Sequence, residues 1–183
     1  MVFRKVIEEI TMLMVYETCR DLPLEKVDIA TPIKDTEGHR IEGNKLVLLP
    51  ILRAGLGMVQ GFLNVVPSAR VGHIGMYRDE DTLEPHFYYY KVPRRSDDRL
   101  FIIVDPMLAT GGSANLTIGK LKENNIRYIK FMAILASPEG IAKVEEAHPD
   151  VNVYVAKIDE SINQKGYILP GLGDAGDRIF GTK

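Results

Sequence analysis

Apolar residues open the chain at helical spacing: Phe3, Val6, Ile7, Ile10, Leu13 and Met14 form a stripe on one side of a helix. Pro23 cannot continue that helix, so the helix is expected to end before it. The period then changes. After a stretch punctuated by Pro32, Gly38 and Gly43, short continuous apolar runs occupy 46–49, 71–76, 100–104, 131–135 and 151–156. Such runs suit strands covered on both faces. Between most of them, 56–63, 114–123 and 138–147 carry apolar residues at helical spacing, and Ser137-Pro138 supplies an N-cap hydroxyl and a proline at N1 for the last. Alternating strand and helix predicts an α/β fold, a mostly parallel sheet flanked by helices. In that architecture ligands gather beyond the carboxyl ends of the strands, so the residues just after the apolar runs are the ones to inspect.

Two stretches depart from the alternation. Residues 79–99 mix charges and prolines with His86-Phe87-Tyr88-Tyr89-Tyr90-Lys91, a segment of high strand propensity expected to form a β-arm projecting from the sheet. Tyr88 and Tyr90 share one face of that strand and Tyr89 takes the other, which suits contact with a second subunit as well as folding back on the same one. Residues 166–183 are glycine-rich without apolar periodicity, yet their acids, Asp174 and Asp177, are too specifically placed for a linker; they are a candidate substrate loop.

Composition narrows the classes. At 183 residues and 45% hydrophobic content a single domain with a sizeable core is expected. The formal net charge of -2 leaves no broad basic field for nucleic acid. Cys19 stands alone, excluding an intramolecular disulfide and a cysteine zinc site, and a reducing, cytoplasmic setting is expected. No run approaches the roughly 20 apolar residues needed to span a bilayer. His39, His73, His86 and His148 lack metal-ligand spacing and receive no role; Asp79-Glu80-Asp81 reads as a solvated turn.

The most informative segment is the apolar run 100–104 leading into Asp105-Pro106-Met107-Leu108-Ala109-Thr110-Gly111-Gly112-Ser113. A buried strand entering a glycine-rich turn and then a helix makes an anion site. Amides from Thr110 to Ser113 can converge on a phosphate, the glycine pair removes Cβ obstruction, and the Thr110 and Ser113 hydroxyls add donors. A carboxylate at the head of such a loop would repel the anion, so Asp105 is expected to face hydroxyl donors, such as those of a ribose. A triphosphatase loop would need a Lys after Gly112, and there is none. Gly55, Gly57 and Gly61 miss the dinucleotide-binding spacing by one residue.

Residues 105–113 resemble the phosphoribosyl-diphosphate loop of the type I phosphoribosyltransferases, and the Asp105-Pro106 form resembles the uracil phosphoribosyltransferases among them. Pro50-Ile51-Leu52-Arg53-Ala54-Gly55-Leu56-Gly57 and the block 167–178 are similar to the same family. The resemblance implies transfer of a phosphoribosyl group from 5-phosphoribosyl 1-diphosphate to uracil, giving UMP and diphosphate. It implies that Arg53 and Arg78 grip the diphosphate, that residues 105–113 hold the ribosyl phosphate, and that main-chain groups of Ile168, Gly173 and Ala175 read uracil. Asp174 would lie near both substrates, with proton transfer as one possible role. Mg²⁺ would be carried mainly by diphosphate oxygens and water. A homo-oligomer is also implied, as is a possible GTP effector without assignable residues. Similar chains usually carry a further basic segment ahead of the helix that starts here near Phe3. Two other readings stay open: a regulatory protein of the same fold that senses pyrimidine nucleotides, and a transferase for a different base.

Overall fold

The computed structural model describes residues 2–42, 46–78, 85–94 and 96–182, with backbone alone at 78 and 85. Helix α1 (Val2–Cys19) buries Ile7, Thr11, Val15 and Thr18, with Phe3, Ile10 and Met14 packed beside them. The stripe is rotated from the apolar pattern. Val6 and Leu13 face outward, Leu13 at 78% exposure, while Thr11 enters the core because its hydroxyl donates back to Ile7 O at 2.7 Å and so carries no unpaired donor inside.

Strands β1 (Leu24–Ala30) and β2 (Asp35–Ile41) pair as an antiparallel ribbon outside the main sheet. The sequence pattern assigned no strands here. The ribbon is exposed on both faces, so it carries no apolar run; cross-strand pairs such as Lys26–Glu37 at 2.8 Å and Arg40–Glu25 at 2.6 Å take the place of a packed face.

The central strands follow the apolar runs. β3 (Val47–Leu52), α2 (Leu56–Val65), β4 (Arg70–Val71), β5 (His73–Arg78), β6 (Pro85–Lys91), β7 (Leu100–Val104), β8 (Met107–Leu108), α3 (Gly112–Glu123), β9 (Tyr128–Ala136), α4 (Pro138–Ala147) and β10 (Asn152–Ile158) succeed one another along the chain. The sheet order is β10-β9-β7-β3-β5-β6, with β4 beside β3 and β8 beside β9. Every pairing is parallel except β5 with β6.

Alternation along the strands sends Val47, Leu49, Phe101 and Ile103 to one face, against Ile118 and Leu121 of α3 and Val144 of α4. Leu48, Ile102 and Val104 go to the other, against Ile7 and Val15 of α1 and Met58 and Phe62 of α2. Each large side chain so buried contributes about 1.5–3 kcal/mol before entropy is subtracted. A sheet covered on both faces needs runs without polar interruption, which is why these strands were visible in the sequence.

Of the stretch expected to project as an arm, β6 lies in the main sheet as its edge strand, pairing along β5 with a shift in register between Gly75 and Met76. Tyr88 lies over Gly75, where a Cβ would come within 2.4 Å of its ring, and Tyr90 packs against the core. Asp79-Glu80-Asp81 lies outside the described residues. The chain closes with β11 (Ser161–Ile162) and β12 (Ile168–Leu169), an antiparallel ribbon, and α5 (Ala175–Phe180). Among the described residues no helix is long and apolar enough to cross a membrane.

Candidate active site

The turn after β7 is zipped onto the end of β9. Ile134 N and Leu135 N donate to Pro106 O at 3.1 and 3.0 Å, and Ser137 N donates to Leu108 O at 3.0 Å. The Ser137 hydroxyl, predicted as a cap, does two things: it accepts from Gly140 N at 2.9 Å and donates to Ala109 O at 2.6 Å. It therefore fastens the start of α4 to the turn. Gly140 allows that approach, since a Cβ there would sit 2.3 Å from Ala109 O.

Beyond Ala109 the backbone swings through Gly111 at φ +73° into α3, a conformation that favours glycine. The first amides of α3 have no acceptor within their own helix. Thr110 and Ser113 are exposed, so their hydroxyls are available to a ligand. Residues 105 and 107–113 line a recess of about 90 Å³ together with Ala114 and Phe131. The residues predicted to form the cradle, Pro106 excepted, thus border one hollow.

Two further recesses adjoin it. One of about 230 Å³ is lined by Ile51, Leu52, Arg53, Ala54, Met76, Asp105, Ser113, Asp174 and Gly176. The other, about 210 Å³, is lined by Ala54, Asp105, Met107, Ala109, Gly166, Tyr167, Ile168, Gly173, Asp174, Ala175 and Gly176. Asp105 borders all three, and Asp174 borders the latter two. Ile168, Gly173, Asp174 and Ala175, grouped by sequence, therefore converge. Ala54, Gly166, Tyr167 and Gly176 also line these walls and were not singled out, although Ala54 lies in the quoted Arg53 block and Tyr167 and Gly176 in the quoted C-terminal block.

Arg53 follows β3, its Nη2 3.3 Å from Asp177 Oδ1 and its guanidinium 6.0 Å from the centre of the Phe180 ring. Arg78 ends the neighbouring β5, at the same edge of the sheet; its side chain lies outside the described residues. Asp174 caps α5, accepting from Asp177 N at 2.8 Å through Oδ1.

Burial pushes the Asp105 carboxyl up to about 7; the amide of Met107 partly offsets this and the charge of Asp174 adds to it. Two carboxylates that border the same recesses fit a hard cation with oxygen ligands. Among the described residues no group of three or more His, Cys, Asp or Glu could hold a metal ion by itself, so Mg²⁺ would depend on oxygens supplied with a ligand. Cys19 is no nucleophile: burial pushes its thiol up to about 11.

A larger recess, about 510 Å³, opens at the amino ends of the strands between Leu22, Ile41, Leu46, Leu100 and Tyr128. Its lysine, Lys130, is committed to Thr18 O at 2.8 Å and to Asp21. Size alone does not make it the reactive centre. The glycine-rich turn, Arg53, Asp105 and Asp174 all lie at the opposite end.

A parallel sheet in this order, with an anion loop after its middle strand and a hood of β12 and α5 above, defines a type I phosphoribosyltransferase fold. A hypoxanthine-guanine phosphoribosyltransferase from Bacillus anthracis shares that fold, with a TM-score of 0.58 at 13% identity over 87% of this chain and 80% of that chain. The family model for uracil phosphoribosyltransferase matches residues 1–182. A uracil phosphoribosyltransferase of Streptococcus salivarius is 58% identical over 99% of this chain and 87% of its own length; that of Streptococcus uberis is 59% identical over the same shares. The structure of the AQ2163 protein from Aquifex aeolicus superposes with a TM-score of 0.89 at 40% identity, covering 97% of this chain and 85% of that one. The chain belongs to the uracil phosphoribosyltransferase family.

Proposed function

We propose that this chain transfers the 5-phosphoribosyl group of 5-phosphoribosyl 1-diphosphate to N1 of uracil, forming UMP and diphosphate in pyrimidine salvage. The observation that carries the reading is the position of Asp105 where three recesses meet. The smallest, framed by amides and hydroxyls, takes the 5′-phosphate. The one holding Arg53 takes the diphosphate, with Arg78 beside it. The third, under Ile168 and Gly173, takes the base. Asp105 then lies under the ribose, where an ionised carboxylate accepts from its hydroxyls.

Uracil offers acceptor, donor, acceptor along O4, N3–H and O2, and backbone groups of Ile168, Gly173 and Ala175 can complement that order. Cytosine would set its N4 donor against an N–H and leave a buried group unpaired. In the reaction the C1–oxygen bond breaks with its electron pair going to diphosphate, while N1 bonds to C1 and loses its proton. Arg53 and Arg78 stabilise the charge growing on the leaving group, since a guanidinium is a planar fork of donors that keeps its charge. Mg²⁺, carried on the diphosphate with Asp105 and Asp174 as the nearest carboxylates, would neutralise further phosphate charge.

Incubating the purified protein with uracil and 5-phosphoribosyl 1-diphosphate is expected to give stoichiometric UMP and diphosphate. Cytosine, xanthine and hypoxanthine should yield far less. Uracil-independent behaviour, or preference for a purine, would refute the assignment. Asp174→Asn keeps an N-cap for α5 while removing the charge. If Asp174 accepts the N1 proton, turnover of this variant should fall by about a hundredfold or more while its fold is retained; rates near wild type across pH would remove that role. We place the reaction in the cytoplasm and assign the exposed Ile29 and Ile33 of the β1–β2 ribbon, and Phe87 and Tyr89 of the arm, to contacts in a homo-oligomer.

A further inference from the structure

The tip of the C-terminal loop lines none of the three recesses, yet it is held from two sides. Gly171 N donates to Asp159 Oδ2 at 3.0 Å. Leu172 O accepts from Arg178 Nη1 at 3.0 Å. A carboxylate thus takes the donor and a guanidinium takes the acceptor of consecutive residues, each charge matched to the backbone group it meets.

Both grips are anchored in the body of the fold. The Asp159 side chain is 3% exposed, with Oδ1 3.0 Å from Lys157 Nζ, and Asp159 N donates to Ala136 O at the end of β9 at 2.9 Å. The Arg178 guanidinium lies 4.0 Å over the ring of Phe3 on α1. The loop tip is referenced to the sheet on one side and to the first helix on the other. Gly171 makes the turn between them possible: it sits at φ +56°, and a Cβ there would come 2.1 Å from Ile168 O.

Ile168 and Gly173 flank the gripped pair, and both line the base recess. A main-chain reader has no side-chain torsion with which to re-aim, so its geometry is only as good as the rigidity of the loop that bears it. We propose that Asp159 and Arg178 are positioning residues for the base-reading loop, setting uracil affinity and base selectivity without touching the base. This rests on the reading of residues 168–175 as the uracil pocket.

The experiment compares Asp159→Ala and Arg178→Met with the milder Asp159→Asn and Arg178→Lys. Uracil and 5-phosphoribosyl 1-diphosphate are each varied against a saturating amount of the other. The Ala and Met variants are expected to raise the KM for uracil by about tenfold or more, to leave the KM for the ribosyl diphosphate within about twofold, and to narrow the preference for uracil over cytosine. Asn and Lys should recover part of the loss, and they carry the test if Asp159→Ala does not fold. Amide exchange at residues 168–175 should quicken in the same order, a readout independent of turnover. If uracil KM and amide exchange match wild type in every folded variant, or if both KM values rise together, the inference is overturned. Failure of the wild-type protein to form UMP would instead overturn the pocket reading, and this inference with it.

Discussion

Replacing Asp105 by Asn is expected to cut kcat/KM for the ribosyl diphosphate by about a hundredfold and, at pH 8, to raise the thermal stability of the ligand-free protein. The two effects share one cause. In the proposed complex ionised Asp105 would accept from ribose hydroxyls, which an amide can do with only one of its two terminal atoms. Without a ligand the same carboxylate is desolvated at the floor of the cleft, and its pKa rises from 3.8 to about 7. A raised acid binds its proton more tightly in the folded state than in the unfolded one. Stability is therefore highest below about pH 4 as far as this group is concerned, and it falls as pH climbs toward 7. Holding the charge above pH 7 costs the free fold at most about 4 kcal/mol. Asn recovers part of that, on the order of 2 kcal/mol, so the melting temperature at pH 8 should rise by roughly 5 °C. Near pH 4 the gain should vanish. Wild-type kcat/KM should also lose a limb falling below about pH 7 once Asn is present, while the ionisation of the 5′-phosphate near pH 6 persists. Calorimetry across pH and a kcat/KM profile check both halves; an Asn variant as active as wild type would remove Asp105 from the ribose.

The inner strands β3, β7 and β9 were legible because each is covered on both faces. Val47, Leu48 and Leu49 are all fully buried although they alternate between faces, and only a continuous apolar run can serve such a place. The ribbon of β1 and β2 was illegible for the converse reason. With both faces largely in water, its residues answer to cross-strand charge pairs, and the alternation at Lys26-Val27-Asp28-Ile29 is too short to mark a strand. Helix α1 was found by period but its facing was not. Thr11 and Thr18 fill core positions because their hydroxyls bond back to Ile7 O and Met14 O, an arrangement that hydrophobicity alone does not register.

The site divided in the same manner. The cradle at 105–113 was readable because glycine, hydroxyl and carboxylate fall there in an order that only a turn onto a helix explains. The base recess was readable only as a family likeness. Backbone groups carry no side-chain signature, and the two residues bonded to the loop backbone, Asp159 and Arg178, lie 14 and 5 residues from Gly173 by sequence number, Asp159 outside any quoted block and Arg178 at the end of one. Asp177 is a similar case: it appeared in the C-terminal block as one more acid, and only the fold shows it beside Arg53.

That neighbour bears on the second large effect. Arg53→Met should reduce kcat/KM by about a hundred- to thousandfold, through loss of charge stabilisation on the departing diphosphate. Arg53→Lys should lose roughly tenfold, since it keeps the charge but not the planar fork. In the free protein Arg53 is paired with Asp177 at 3.3 Å, but its side chain is 56% exposed, and pairs of this kind contribute only about 0–1 kcal/mol. A diphosphate offering several charged oxygens can outcompete one carboxylate held so loosely. Arg53→Met should therefore melt within about 2 °C of wild type, and Asp177→Asn, which removes the competitor, should change the KM for the ribosyl diphosphate by no more than a few-fold. Initial rates with the ribosyl diphosphate varied at saturating uracil distinguish these cases. An Arg53→Met protein with unaltered KM and turnover would mean that the leaving group departs elsewhere in the cleft, and the recess beside β3 would have to be reassigned.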